Sequence, residues 1–253
     1  MVIIINNNRE RSIVKKTILI TTSLLSLFGC NGKETTTTTV VAKDAIALVE
    51  YKEEYKEELL EIAFEDPNLF FPGRIAMPEG MLEQVDAANK QELIDGFSNP
   101  LKYTKVLVDN ALGKPVGFTC YLKTREQSLE STKNMLAEKQ PSLKMTDEQI
   151  LQIHPQLKLT DVECKDYILI ESVIVSREYR GNGYGRMLIK NIVEECKQKW
   201  PNINMIKLMV SKDNTVACKL YESEGFTVSK DGLHFPPQLL QMLKTTQYEK
   251  NIR

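Results

Sequence analysis

A glycine-rich segment between two regular elements constrains the fold of this chain more than any other feature. Residues 180–185 have the sequence Arg-Gly-Asn-Gly-Tyr-Gly and lie between an apolar, strand-like run, Tyr167–Val175, and a helix-like run, Arg186–Trp200. Glycines let the backbone turn tightly and approach a ligand closely. A helix that begins directly after them points its free N–H groups and the positive end of its dipole at the loop. Strand, loop and helix together predict a phosphate-binding site.

The spacing of the glycines excludes two common phosphate-binding motifs. A P-loop requires Lys-Ser or Lys-Thr after its last glycine, whereas Arg186 and Met187 follow Gly185 here. A dinucleotide-binding fingerprint requires Gly-x-Gly-x-x-Gly, whereas this loop has Gly-x-Gly-x-Gly. An arginine that precedes a one-spaced glycine pair instead resembles the loop of the GNAT N-acetyltransferases, in which loop amides hold the pyrophosphate of acetyl-coenzyme A.

A second motif strengthens the resemblance to the GNAT superfamily. The segment from Asn214 to Phe226 has the family's pattern Asn-x-x-Ala-x-x-Leu-Tyr-x-x-x-Gly-Phe. The runs Leu169–Val175 and Met205–Val210 resemble the family's fourth and fifth strands. The resemblance is specific from Tyr167 to Phe226 and only general from Ala45 to Lys123. It implies an α/β fold with a mixed, mostly antiparallel central sheet flanked by helices, the GNAT acyl-CoA N-acyltransferase fold.

The order of the predicted elements before the fourth strand agrees with that fold. Hydrophobic periodicity predicts a strand over Ala45–Glu50 and helices over Lys52–Phe64 and Glu83–Phe97. Alternating apolar and polar residues predict a hairpin over Lys102–Asp109 and Pro115–Lys123.

An insertion at about residues 124–166 departs from the compact family pattern, in which a short turn joins the third and fourth strands. Helices are predicted over Ser131–Gln140 and Thr146–His154, the second with a capping box between Thr146 and Gln149. Ser131 or Ser128 is the expected N-cap of the first. A segment of this length can be a lid, an interaction surface or an inert insertion, and all three remain open.

Composition excludes several classes of function. The 253 residues suffice for one domain with appendages, and a formal net charge of −1 gives no indication of a nucleic-acid-binding surface. Five cysteines and two histidines show no metal-ligand spacing, so no metal site is predicted. The cysteines lie mostly inside strand-like or helix-like runs, which favours free buried thiols over a disulfide framework.

The N-terminus resembles a bacterial lipoprotein signal peptide. Basic residues precede an apolar run, Thr17–Phe28, that is too short to span a membrane but suits a signal-peptide core. The run ends in Leu-Phe-Gly-Cys, which resembles a lipobox and makes Cys30 the expected lipidation site. We therefore expect a signal peptide over residues 1–29, a threonine-rich tether over 30–42 and the GNAT domain over 43–253. The alternative is an apolar tail on a cytoplasmic enzyme, which would meet cytosolic acetyl-coenzyme A directly.

The family resemblance also implies the residues that bind the co-substrate acetyl-coenzyme A. Backbone groups of the fourth strand contact the thioester carbonyl and the pantetheine, and the amides of the glycine loop and first helical turn contact the pyrophosphate. Arg180 either adds charge or braces the loop, and Asn214 caps its helix and touches the co-substrate. The remaining residues in this set are Val173, Ile174, Val175, Gly181, Asn182, Gly183, Tyr184, Gly185 and Arg186.

Two residues are candidates for the proton transfers. Tyr221 lies seven positions after Asn214 on the same helix face and is the expected general acid for the leaving thiolate. Glu171 interrupts an apolar strand, on the face that Val173 and Val175 are expected to share. It is either the general base, as a glutamate at this strand position is in the similar spermidine/spermine acetyltransferases, or a member of a structural ion pair.

The expected activity is N-acetylation by direct transfer in a ternary complex. No acyl-enzyme is expected, because no histidine neighbours Cys218 in the sequence to activate it. The alternative is an inactive GNAT-fold binding module, anchored through Cys30, whose insertion binds a partner. Polyamines, other small amines, antibiotics, peptide N-termini and protein lysines all remain possible acceptors, and the sequence does not indicate an oligomeric state.

Overall fold

A computed structural model describes residues 45–71, 74, 79–139, 145–153, 157–229 and 245–252. The predicted signal peptide, Cys30 and the tether lie outside these residues. None of the helices in the described ranges has the length and apolar character that a membrane crossing requires. The helices are α1 (Lys56–Phe64), α2 (Pro67–Phe70), α3 (Leu82–Ser98), α4 (Leu129–Lys139), α5 (Asp147–Ile153), α6 (Tyr184–Lys199) and α7 (Thr215–Ser223).

The central sheet has seven strands in the order β1-β2-β3-β4-β5-β7-β6. Neighbouring strands are antiparallel except β4 and β5, which are parallel. This confirms the mixed, mostly antiparallel sheet that the family resemblance implied. The strands are β1 (Ile46–Glu50), β2 (Lys102–Asp109), β3 (Lys114–Arg125), β4 (Asp166–Val175), β5 (Met205–Ser211), β6 (Thr227–Val228) and β7 (Thr245–Asn251).

Helices cover both faces of the sheet and form two hydrophobic cores. On one face α6 contributes a stripe that includes Leu188, Ile189 and Ile192, and α7 contributes Ala217 and Tyr221, to a core with the central strands. The spacing of these residues is that of an amphipathic helix whose apolar face is buried. On the other face, α1, α2 and α3 pack against β2 and β3 in a second core. The described core therefore has three layers, with the sheet in the middle.

The helical insertion predicted between the third and fourth strands is confirmed by α4 and α5. The Thr146 N–H donates to Gln149 Oε1 at 2.8 Å, and the Gln149 N–H donates to Thr146 Oγ1 at 3.3 Å, which is the predicted capping box. At the start of α4 the Ser131 N–H donates to Ser128 Oγ at 2.9 Å, so Ser128 is the capping residue. Because β3 extends to Arg125 and β4 begins at Asp166, the insertion occupies residues 126–165.

Candidate active site

The strands β4 and β5 diverge in the middle of the sheet. They pair at only three positions, of which the last joins Ile170 to Leu208. Beyond that point β4 continues to Val175 beside β3, and β5 continues to Ser211 beside β7. The β5-facing backbone groups of residues 171–175 therefore form no ladder with β5. An extended ligand between the strands can satisfy such groups, and Val173, Ile174 and Val175 all lie in this opening.

A β-bulge in β4 lies at the start of the opening. Cys120 on β3 pairs with Ser172 while the next residue, Tyr121, pairs with Ile170, so Glu171 is an extra residue on the bulged strand. A bulge bends a strand and redirects its side chains. Before the bulge Ile170 faces the core beneath α6, and after it Val173 faces the same core.

Glu171 points to the opposite face from Ile170 and Val173. Its side chain contacts Lys102 and Cys120 on the side of the sheet that α1 and α3 cover. The expectation that Glu171 shares a face with Val173 and Val175 is therefore wrong. Simple alternation of side chains predicted that shared face, but one extra residue reverses the alternation.

Glu171 forms a half-buried ion pair with a lysine from β2. Lys102 Nζ lies 2.6 Å from Glu171 Oε2, and Cys120 Sγ donates to the same oxygen at 3.7 Å. Burial alone would lower the pKa of Lys102, but the hydrogen bond to Glu171 and its negative charge outweigh burial and raise the pKa. Burial, reinforced by the Glu171 charge, raises the pKa of the Cys120 thiol to about 12. The structure thus contains the ion pair that was one of the two sequence-based alternatives for Glu171.

The glycine loop leads directly into the N-terminus of α6. Gly181 and Gly183 have φ angles of 82° and 85°, in the left-handed region that favours glycine. A Cβ atom at either position would meet nothing within 4 Å, so backbone conformation rather than crowding requires glycine there. Gly183 is the N-cap of α6 and no side chain of the described residues caps the helix. The amides of the first turn, Tyr184 to Arg186, therefore have no intrahelical acceptor and point at the loop.

The side chains of both arginines in the motif bind other parts of the protein. Arg180 Nε donates to the Val175 carbonyl at 2.7 Å, and its Nη1 donates to Asp66 Oδ2 at 2.8 Å. Of the two roles left open for Arg180, these contacts favour bracing of the loop. Arg186 Nε lies 2.7 Å from Glu224 Oε1 at the end of α7. At the loop itself, the Asn182 side-chain amide donates to the Tyr179 carbonyl at 3.1 Å.

Helix α7 presents two buried polar groups on one face. Asn214 caps the helix as predicted, since its Oδ1 accepts from the Ala217 N–H at 3.1 Å. Within the described part of the chain, Asn214 Nδ2 and Tyr221 Oη are buried without a hydrogen-bond partner. Burial, followed by the effect of Cys218, raises the pKa of Tyr221 well above its ordinary value. Because α7 begins where β5 ends, Asn214 lies on the side of the opening that β5 forms, and Tyr221 follows two turns later on the same helix face.

Other groups around the site were not predicted from the sequence. No local sequence pattern indicates a role for Lys102, because its partner, Glu171, is distant in the chain. Ser172 follows the bulge, and its buried Oγ has no hydrogen-bond partner among the described residues. Glu65 and Asp66, between α1 and α2, bind the arginines that precede the glycines. Glu65 at the C-terminus of α1 opposes the helix dipole, and this was the available signal.

A cavity of about 1310 Å³ opens at the other end of the sheet. Its lining includes Arg125, Tyr167, Trp200 and Met205, and none of the predicted site residues. The volume of this cavity alone indicates no chemistry. We therefore place the candidate site at the strand opening, next to the left-handed glycines, the free helix amides and the buried polar group of Asn214.

This chain is similar to known proteins of one family. The sequence model of the acetyltransferase (GNAT) family matches residues 57–226, which include the glycine loop and α7. The structure of arylalkylamine N-acetyltransferase 2 from Aedes aegypti is similar at 14% identity, with 82% of this chain and 99% of that chain covered and a TM-score of 0.52. Arabidopsis thaliana NAA60 in complex with acetyl-CoA is similar at 13% identity, with 82% and 98% covered and a TM-score of 0.49. PaiA N-acetyltransferase from Thermoplasma acidophilum in complex with coenzyme A is similar at 18% identity, with 81% and 98% covered and a TM-score of 0.49.

Proposed function

The chain belongs to the GNAT family of acetyltransferases, and on that premise we propose that it transfers an acetyl group from acetyl-coenzyme A to the nitrogen of an amine acceptor. The observation that supports this most is the opening between β4 and β5, which leads to the left-handed glycines and free amides at the start of α6. This arrangement suits a ligand with an extended, amide-containing arm and a pyrophosphate, and acetyl-coenzyme A has both.

Backbone groups supply most of the proposed binding contacts. The amides of residues 181–186 bind the pyrophosphate, and the strand edge from Val173 to Val175 binds the pantetheine arm. The side-chain charge of Arg180 is already neutralised by carboxylates, so the oriented amides and the dipole of α6 provide the attraction for the anion. The unpartnered Asn214 Nδ2 is a further donor for the arm.

The proposed chemistry is direct attack of the neutral amine on the thioester carbonyl carbon. The new C–N bond forms as the C–S bond breaks, the proton of the amine passes to a base, and the sulfur takes up a proton or a strong hydrogen bond. Tyr221 donates to the sulfur: a phenol is protonated at neutral pH, and burial raises the pKa of this one further. Holding both reactants in one complex supplies much of the rate.

Glu171 is the proposed base. Lys102 and Cys120 both contact its Oε2, which leaves Oε1 for the acceptor or for a water molecule bound to it. Since this carboxylate faces α1 and α3, the acceptor approaches from that face of the sheet while the acetyl-coenzyme A arm lies in the opening.

A covalent acyl-cysteine intermediate is not part of this mechanism. Burial raises the pKa of the Cys120 thiol to about 12 and also raises the pKa of Cys218. A thiol is nucleophilic as its thiolate, and both environments disfavour that form.

The test combines calorimetry with a panel of amine acceptors on the full chain. We expect acetyl-coenzyme A to bind and at least one amine from the panel to be acetylated. Binding without turnover on any acceptor would favour the alternative, a binding module that has lost activity. Absence of binding would refute both the active site and the family-based assignment of acetyl-coenzyme A.

We also propose that the chain is a membrane-anchored lipoprotein whose Cys30 is acylated, with residues 30–42 as the tether to the folded domain. The support is the basic stretch, the short apolar run and the Leu-Phe-Gly-Cys sequence. In bacteria fed an acyl label, the full chain should carry the label and pellet with membranes, and a Cys30→Ala variant should do neither. An unlabelled wild-type protein that keeps its first residues would instead support the cytoplasmic alternative.

A further inference from the structure

We propose that Glu65 and Asp66, at the junction of α1 and α2, are positioning residues that hold the glycine loop in the conformation that binds the pyrophosphate. The proposal rests on the proposed function, because it assumes that this loop binds acetyl-coenzyme A. We call Glu65, Asp66, Arg177 and Arg180 the loop clamp.

Glu65 binds the chain just before the glycines at three points. Its Oε1 accepts from Ser176 Oγ at 2.9 Å, and its Oε2 accepts from the Arg177 backbone N–H at 2.6 Å. The same Oε2 lies 3.4 Å from Arg180 Nη2. One carboxylate thus fixes the first residue after β4, the backbone of the next residue and the side chain of Arg180.

Asp66 bridges the two arginines of the clamp. Its Oδ1 accepts from Arg177 Nη2 at 2.5 Å, and its Oδ2 accepts from Arg180 Nη1 at 2.8 Å. The Arg180 side chain is only 7% exposed, and its Nε holds the carbonyl of Val175, the last residue of β4. The end of the strand, the start of the loop and the end of α1 are therefore joined through a buried guanidinium.

The position of Glu65 runs against helix electrostatics. Negative charges near a helix C-terminus are unfavourable by about 0.3–1 kcal/mol each, because the free carbonyls there are also negative. Glu65 is the C-cap of α1 and is therefore poorly explained by that helix, whereas Asp66 is the N-cap of α2, where an acidic residue is favoured. The contacts of Glu65 with Arg177 and Arg180 offset its cost, and the Asp66 side chain binds these two arginines instead of capping α2.

The clamp affects the affinity for the pyrophosphate because the loop glycines directly follow Arg180 in the chain. Gly181 and Gly183 are flexible in an unrestrained chain, and ordering them during binding would reduce affinity. When Arg180 is fixed from both sides, the loop already presents its amides at the start of α6. The clamp charges are paired with one another, so its effect is geometric rather than a direct attraction for phosphate.

The direction of the change in anion affinity distinguishes ordering of the loop by the clamp from simple electrostatics. Removing a negative charge near an anion-binding site should tighten anion binding if long-range charge alone matters. If the clamp orders the loop, the same change should weaken binding. The charge-neutralising variant Asp66→Asn therefore distinguishes the two. Glu61→Gln on the exposed side of α1 is the matched control, because it removes one charge from the same helix without touching the loop.

The experiment measures coenzyme A binding by calorimetry on the full chain, together with steady-state kinetics. For Asp66→Asn we expect the Kd for coenzyme A and the KM for acetyl-coenzyme A to rise about tenfold, less than the roughly 10²-fold that a 1 Å misplacement can cost, because Glu65 still holds the loop. The kcat at saturation should stay within about twofold, and Glu61→Gln should leave all three values unchanged. Hydrogen exchange should accelerate at the amides of residues 181–185 but not across the sheet, which a general loss of stability would not produce.

Glu65→Gln provides a second variant if Asp66→Asn does not fold, since the amide oxygen can still accept a hydrogen bond. Unchanged or tighter coenzyme A binding by a folded clamp variant would overturn the proposal while leaving the proposed function intact. Failure of the wild-type protein to bind coenzyme A would overturn both.

Discussion

Replacing Tyr221 by phenylalanine should make the protein more stable and much less active. The Tyr221 side chain is fully buried and, within the described residues, its hydroxyl has no hydrogen-bond partner. A buried hydroxyl without a partner costs about 1–3 kcal/mol of desolvation. Removing it keeps the ring contacts with Phe226 and Tyr248, whose centroids lie 5.8 and 6.1 Å away. We expect stabilisation of about 1 kcal/mol, or about 2–4 °C in Tm for a domain of this size.

Turnover should fall by about 10²–10³, because general acid–base groups typically contribute 10²–10⁴. The Kd for acetyl-coenzyme A should remain close to the wild-type value, since the hydroxyl acts mainly on the leaving sulfur. Thermal unfolding, calorimetry and initial rates on the same preparation measure the three quantities.

Tyr248→Phe is the matched control for this variant. Tyr248 is also buried and its ring packs against Tyr221, but its hydroxyl donates to Glu222 Oε1 at 2.9 Å. Loss of the Tyr248 hydroxyl should lower the free energy of unfolding by about 0.5–1.5 kcal/mol, the usual net contribution of a hydrogen bond, without affecting turnover. A Tyr221→Phe protein that is less stable than wild type, or equally active, would refute the reasoning, because the hydroxyl would then have a partner or no role in catalysis.

Three further changes test other parts of the site. Gly183→Asp should abolish acetyl-coenzyme A binding in calorimetry, because it adds a side chain at a φ of 85° and a negative charge beside the pyrophosphate; equal affinity would remove the loop from the site. Glu171→Gln should reduce the rate most at low pH, where the acceptor is most protonated, and a uniform reduction across the pH–rate profile would argue against a base. Burial raises the pKa of Tyr167 and Tyr221, so unfolded phenols ionise above about pH 10 while the folded ones stay neutral. Denaturant titrations should therefore show a stability that falls above that pH by about 1.4 kcal/mol per pH unit for each of these two phenols, with a shallower fall in Tyr221→Phe.

The part of the site that could be predicted from the sequence is the part encoded by local rules. Left-handed turns need glycine, a helix N-terminus follows a glycine loop, and Asn214 is a preferred N-cap residue. Each rule depends on residues within one or two turns of each other. The predicted element boundaries accordingly agree with the structure to within a few residues, and α6 begins only two residues before the predicted start at Arg186.

The contacts that were not predicted join residues far apart in the chain. Lys102 meets Glu171 across β2, β3 and β4, and Glu65 meets Arg177 across most of the domain. No periodic pattern in the sequence indicates contacts between residues so far apart. The strand β7 was also not predicted. It lies between β5 and β6, but its segment contains a single large apolar residue, Tyr248, so its alternation is weak.

The bulge in β4 explains why one strand can serve two ligands in the proposed reaction. Without an extra residue, side chains of β4 would alternate regularly, and Glu171 and Val173 would share the face opposite Ile170. With it, Val173 returns to the core beneath α6 that also contains Ile170. The carboxylate lies on the side of α1 and α3, where Lys102 compensates it, while the backbone beyond it remains open toward β5. The acetyl donor and the amine acceptor can thus approach the same few residues from different sides, and this geometry is what direct transfer in a ternary complex requires.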